Sequence, residues 1–289
     1  MKLAAIVVVL GIGLGGVSQA FCQAGNTKPT DQAAPAGQTA APAAAPQGKR
    51  PPQAKTQPEF DAFNTAKALT DAAAQEKAAD DFAIKFPDSE LRVMLYKAVM
   101  YSYQQANNAD KMMDAAHKVL TVDGDDPEAL VGVGQVLAER TRDTDLDKDQ
   151  RWAEARKDAQ KALLTVETDV PTAGLPQDKI DTYKGYLRSE AYSVIGTLDF
   201  TSKAWPDAET NLRKSIEAFP QNVDPIAVFR LSVALDMQGK YPEAMKYADQ
   251  AVGMTKEDTA AGKAARAEKD RLTKLSSGSA PAQTPAPPK

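Results

Sequence analysis

The sequence predicts an all-α fold, an α-solenoid of stacked helix-turn-helix hairpins, and three observations lead there. First, one stretch is written twice: residues 205–220 read WPDAETNLRKSIEAFP and residues 241–252 read YPEAMKYADQAV, which sets Ala208 on Ala244 and Leu212 on Ala248 at a period of 36 residues. A fixed period of that size marks supersecondary units stacked in a row. Second, small and apolar residues within each copy recur at spacings of three and four, which is one face of a helix. Third, from residue 59 to residue 275 no run of alternating β-branched residues bounded by turn signals interrupts the helical pattern.

Composition fits that architecture. Hydrophobic residues make up 43% of the 289 positions while aromatics make up only 6%, so the core is built from Ala, Leu and Val, small faces that let helices approach closely in an array. The net charge is −4; Lys2, a surplus of three over residues 25–57 and Lys289 lie outside the array, which leaves −9 for residues 58–275. An acidic array argues against nucleic acid as the partner, since nucleic-acid binders present basic faces.

The ends read differently from the middle. Lys2, the apolar run over residues 3–14 and the small residues around Ala20 and Ala24 form the charged, hydrophobic and cleavage regions of a secretory signal, residues 1–24, with cleavage after Ala20 or Ala24. Export places the chain in the periplasm or outside the cell. Phe21 stands before Cys22 where lipoprotein signals resemble one another in having a small residue, which argues against acylation. The Gly-x-Gly-x-x-Gly spacing of residues 11–16 lacks the strand before it and the acidic residue after it that a dinucleotide site requires. Cys22 is the single cysteine, so no internal disulfide forms. Once the signal is removed, no stretch approaches the length of a membrane span. Residues 25–58 hold seven prolines and nine alanines in 34 positions without apolar periodicity, the composition of a disordered linker. Residues 276–289 repeat it as a tail.

Between the ends the helices come in pairs. Phe60, Phe63 and Leu69, then Ala74, Ala78 and Phe82, mark a first pair stopped at Phe86-Pro87, because proline lacks the amide hydrogen and clashes with the preceding turn. Residues 90–105 and 110–122 form the second pair and Pro127 opens the third, whose second helix carries Trp152, Ala155, Ala159 and Ala162 after a polar connector at 141–150. The fourth runs from Ile180 to the Trp205 helix, and the fifth from Ile226 to the Ala244 helix. An amphipathic helix over residues 260–275 closes the stack with the polar outer face that a terminal solenoid unit needs.

These residues resemble the tetratricopeptide repeat family, whose pattern is W-x2-L-G-x2-Y, then A-x3-F, then P. The fourth unit matches with Tyr192, Ile195, Gly196, Ala208, Leu212 and Pro220, and the fifth with Leu231, Ser232, Tyr241, Ala244 and Ala248. The third matches with Leu130, Val133, Gly134, Ala155 and Ala159. Asp199 replaces an aromatic, Ser232 replaces the small glycine, and the third unit carries an insertion of about nine residues between its helices. The resemblance covers residues 60–252 and implies a right-handed superhelix whose concave groove is lined by the first helix of each pair. By position, that lining includes Lys97, Tyr101, Gln104, Gln135, Glu139, Thr197, Phe229, Arg230 and Asp236. Such a groove implies a non-catalytic scaffold or adaptor that binds a partner protein or peptide. The family's carboxylate-gripping subtype is not matched, because Tyr101 stands where an Asn is expected.

Catalysis has little material. His117 is the only histidine and has no thiol or nucleophile-elbow serine to work with, no Gly-rich phosphate loop is present, and no His/Cys cluster suits zinc. The expectation is no enzyme and no cofactor or metal. One alternative stays open. Asp143, Asp145, Asp147 and Glu154 fall on the spacings of a calcium loop, and would make the chain a calcium-responsive envelope protein. Against it, Lys148 takes the place of the glycine that makes the sharp turn, and the bland account is an acidic connector with Asp149 capping the Trp152 helix.

Overall fold

The computed structural model describes residues 49–277 apart from residue 173. Eleven α-helices and no strand occur among the described residues. They are α1 (Gln57–Lys67), α2 (Ala72–Lys85), α3 (Leu91–Gln105), α4 (Ala109–Val122), α5 (Pro127–Arg140), α6 (Lys148–Thr165), α7 (Gln177–Thr201), α8 (Trp205–Ala218), α9 (Pro225–Asp236), α10 (Tyr241–Met254) and α11 (Ala260–Ser276). Each helix packs on the next, and first helices also meet one another, α1 with α3, α5 with α7, α7 with α9 and α9 with α11. Five hairpins and a closing helix make a tetratricopeptide-like solenoid.

Local chemistry sets the boundaries. Asp71, Asn108, Asp126, Asp224 and Thr259 each accept a backbone N–H of the first turn of α2, α4, α5, α9 and α11, satisfying donors that the helix cannot. Proline sits in the first turn of α1, α5, α8, α9 and α10, where its missing N–H costs nothing. Inside the second, fourth and fifth hairpins the same turn recurs. Asn107, Lys203 and Gly239 adopt φ of 54°, 60° and 74°, and the next amide bonds back five residues, Asn108 to Tyr103, Ala204 to Asp199 and Lys240 to Leu235, at 2.9, 2.9 and 3.0 Å. This is the left-handed helix stop that glycine favours, and between Lys203 and Gly239 it repeats at the period of 36 seen in the sequence.

The packing confirms the repeat. Ala208 and Ala244 have no exposed surface and occupy the same place, each facing the first helix of its own hairpin. Gly196 is required by contact: a Cβ there would lie 2.9 Å from Cγ and Cδ2 of Leu212. Ser232 stands at the equivalent position one repeat on and uses its hydroxyl, which donates to the Ala244 carbonyl at 2.8 Å. Asp199, in place of an aromatic, is buried between Arg156 Nη2 at 2.7 Å and Asn211 Nδ2 at 2.8 Å.

Several boundaries and roles differ from the sequence reading. The signal at residues 1–24, most of the linker and all but the first residues of the tail lie outside the described residues. The last part of the predicted linker is held to the array. The Lys49 amide donates to the Thr168 carbonyl, its ammonium meets Asp123 at 2.6 Å and Asp169 at 3.3 Å, and Arg50 pairs with Glu90. Composition alone did not show this, because those basic residues find their carboxylates only once three inter-hairpin turns are brought side by side. Helix α1 begins at Gln57 rather than residue 59, and α11 continues to Ser276. Phe60 and Leu69 are more than a third exposed. Instead, buried Glu59 accepts from the Lys55 amide and from the Ser89 hydroxyl, tying α1 to the start of α3. Asp147, not Asp149, precedes α6, and Asp149 lies within its first turn.

Candidate functional site

The first helices α3, α5, α7 and α9 carry a continuous line of polar and aromatic side chains. At its N-terminal part, the Lys97 ammonium of α3 reaches Asp126 at 3.0 Å and Glu128 at 2.6 Å at the start of α5. Tyr101 and Tyr183 both donate to the Glu128 carboxylate, Tyr183 at 2.7 Å. Burial would lower the Lys97 pKa; Asp126 and Glu128 override it and hold the group well above its ordinary value. Burial and the Glu128 charge push both tyrosines well up, so they stay neutral donors.

The middle of the line is different. Glu190 of α7 accepts from the Gln135 side chain of α5. Burial, with the charge of Asp224 added, raises its pKa to about 7. Asp224, which caps α9 through the Ile226 amide at 2.9 Å, is itself raised by burial. At the C-terminal part, Arg230 of α9 grips Glu139 at 2.9 and 3.1 Å and donates to Thr197 Oγ1 at 2.8 Å. Five acids (Asp126, Glu128, Glu139, Glu190 and Asp224) face two bases along this line.

The nine residues expected in the groove therefore divide. Lys97 and Tyr101 join one cluster, Gln135 the middle, and Glu139, Thr197 and Arg230 another. Gln104 is half-buried, and Phe229 packs against the small C-terminal core around Val228 and Ala265. Asp236 is a correction: it is buried and paired with Arg271, so α11 covers it and it is no open lining. The sequence reading missed Asp126, Glu128, Tyr183, Tyr186, Glu190 and Asp224. Helix α7 starts at Gln177, well ahead of Tyr192, where the repeat motif of the fourth unit is matched. Residues 183, 186, 190, 193 and 197 follow the three-four spacing of one helical face, and that signal was available.

The calcium alternative is not met by the geometry. Helix α6 starts at Lys148, so the loop that should wrap an ion ends halfway through the constellation. Asp145 accepts from the Arg142 amide, Asp147 pairs with Arg151, and Glu154 points to His117 at 3.5 Å. Among the described residues no three His, Cys, Asp or Glu side chains are grouped to hold a metal. His117, on α4, the second helix of its hairpin, is 44% exposed.

No protein-family model and no curated protein sequence matches this chain. Among solved structures it is similar to the MamA protein, at 15% identity and a TM-score of 0.46, covering 68% of this chain and 88% of that one. It is also similar to PilW, described as a widely conserved type IV pilus biogenesis factor, at 15% identity and a TM-score of 0.37, covering 72% and 98%. A third likeness is to the P58(IPK) TPR domain, at 12% identity and a TM-score of 0.28, covering 78% and 66%.

Proposed function

We propose that the chain is a non-catalytic interaction scaffold, exported to the cell envelope, that holds a partner protein or peptide along the first helices. The observation that carries this reading is the line running from Lys97 through Gln135 and Glu190 to Arg230, four successive first helices contributing polar and aromatic groups to one face. An extended or helical segment laid across such a face meets a hydrogen-bonding or ionic group at each repeat, which gives register as well as affinity. The acidic balance of the array favours a protein partner over nucleic acid. Export rests on residues 1–24. Among the described residues no helix is long and apolar enough to cross a membrane.

Photo-crosslinking from defined positions tests the reading. A crosslinking side chain at Tyr101 or Gln104 should trap a partner in intact cells, and one at Leu164, which is 78% exposed on α6, should not. Equal trapping from both faces, or trapping from Leu164 alone, overturns the groove. N-terminal sequencing of the protein recovered from the envelope should begin at Phe21 or Gly25, and an intact Met1 overturns export.

A further inference from the structure

Each hairpin after the first is covered on its N-terminal side by the second helix of the hairpin before it, α2 on α3, α4 on α5, α6 on α7 and α8 on α9. The C-terminal end of the stack is closed by α11, which packs on α9 and α10 and leaves Lys263, Asp270 and Lys274 exposed, as the last unit of a solenoid requires. Among the described residues the first hairpin has no such cover. Between α1 and α2 lies an open cleft of about 270 Å³, lined by Ala62, Ala66, Ala78 and Phe82, with Asp81 and Lys85 exposed at its rim. One turn along α2 from Asp81 stands Ile84, an apolar side chain that is 81% exposed. We propose that the same hairpin of a second copy of this chain covers the cleft, in a two-fold symmetric dimer joined at the N-terminal ends of the two arrays.

The charge pattern of α2 selects this occupant. Two α2 helices related by a two-fold axis run antiparallel, and an axis at the level of Ala83 sets Asp81 of each copy against Lys85 of the other. The same register sets Ile84 of each copy opposite Phe82 in the cleft of the other, so one surface patch complements itself. Both charges are available for the contact. Asp81 meets Lys77 at 2.6 Å, but both ends of that pair are exposed, and such pairs hold weakly. Lys85 lies over the Phe86 ring at 5.3 Å. Other occupants fit less well. The chain's own residues 49–56 do not line the cleft, because Lys49 and Arg50 lead that segment to the turns at Asp123 and Glu90. A copy stacked head to tail would set the charged outer face of α11 against an apolar cleft, burying charge without a counterpart. The first-helix line begins at α3 and takes no part in the contact.

Sedimentation equilibrium of the protein up to about 100 μM should give a mass that rises to two chains and stops there, since a two-fold contact closes at two. Asp81→Lys sets like charges against each other at both symmetric pairs and should weaken the dimer by about tenfold or more. Asp81→Lys combined with Lys85→Asp restores opposite charges and should recover most of that loss. Ile84→Asp should weaken the dimer by about tenfold as well. All three positions are exposed, so circular dichroism and thermal melting of the variants at low concentration should match the wild type. Leu164→Asp, which changes an equally exposed apolar residue on α6, should leave the mass unchanged. A wild type that stays monomeric, or whose mass grows past two chains, overturns the proposal. So does an Asp81→Lys variant that still dimerises, a charge exchange that recovers nothing, or a dimer lost in Leu164→Asp.

Discussion

Gly196 gives the most demanding test of the repeat packing. A methyl group added there would sit 2.9 Å from Cγ and Cδ2 of Leu212 and 3.2 Å from the Leu212 backbone nitrogen. Carbon atoms rest at roughly 3.5–4.0 Å, so α7 and α8 must separate by about 0.8 Å, or Leu212, which has no exposed surface, must leave its rotamer. Overpacking of this kind costs about 1–3 kcal/mol. Replacing a glycine in mid-helix returns about 1 kcal/mol of backbone entropy, so Gly196→Ala alone should destabilise by roughly 0–2 kcal/mol. Leu212→Ala alone should cost about 3–5 kcal/mol through the cavity it leaves. In that background most of the obstruction is gone, and Gly196→Ala should become stabilising, by up to about 1 kcal/mol. The four proteins are compared by urea unfolding followed by circular dichroism. A change of sign between backgrounds is the expected result; an effect of Gly196→Ala that is the same in both would refute the close approach of α7 and α8 at this point.

Three further outcomes follow from the same structure. The Glu190 pKa lies near 7 in the folded chain against an ordinary 4.5, so between these values the unfolded chain gives up a proton that the folded one keeps. Stability present below pH 4.5 is then lost as pH rises to 7, by as much as about 3 kcal/mol. Thermal melting at pH 5 and pH 8 should show Glu190→Gln gaining on the wild type at the higher pH, and an unchanged difference would refute the shift; Asp224 and Glu268, also raised by burial, remain in both proteins and cancel. Replacing Lys49 and Arg50 by Ala should loosen residues 49–56 from the array at low salt and change little at high salt, where both ion pairs are already screened. Limited proteolysis should then cut residues 49–56 faster, and unchanged cleavage would refute their attachment. Lys203→Gly should stabilise by roughly 1 kcal/mol, since Lys203 holds φ of 60° where Gly239 stands one repeat later; a loss on urea unfolding would mean that the turn is not the one described.

What the sequence made legible was the part of the structure governed by periodicity. Ala208, Ala244, Gly134 and Gly196 announce close helix contacts because their size and spacing are local facts. Phe86-Pro87 and Asp126-Pro127 announce ends for the same reason. The candidate site was legible only where it coincided with the repeat. Gln135, Arg230 and Glu139 were placed by position alone, and nothing in the sequence says that Arg230 and Glu139, 91 residues apart, meet. Glu190 escaped notice because α7 extends well ahead of the motif that identified it. The basic residues at 49 and 50 escaped because a segment's composition predicts its own tendency to order, not the carboxylates that three distant turns will present to it.

The departures from the repeat pattern are themselves informative, and Asp199 shows how. An interface of Ala155, Ala159, Leu198 and Leu212 is apolar and nearly featureless, so it holds helices together without specifying which register they take. Asp199, where the pattern expects an aromatic, points a buried carboxylate at Arg156 of the preceding hairpin and Asn211 of its own, and only one register satisfies all three. A buried charge of this sort is weak as a source of stability, because its desolvation offsets most of its attraction. Removing one partner and removing the whole arrangement should therefore have opposite consequences. Arg156→Met strands the Asp199 carboxylate and should cost about 3 kcal/mol on urea unfolding. Adding Asp199→Phe restores the expected aromatic and should recover most of that loss. The recovered protein should nonetheless exchange its amide hydrogens faster across α6, α7 and α8, since the apolar contacts no longer select one register. Recovery of stability with wild-type exchange would show that packing alone fixes the register, and that Asp199 serves some other purpose than aligning the third hairpin with the fourth.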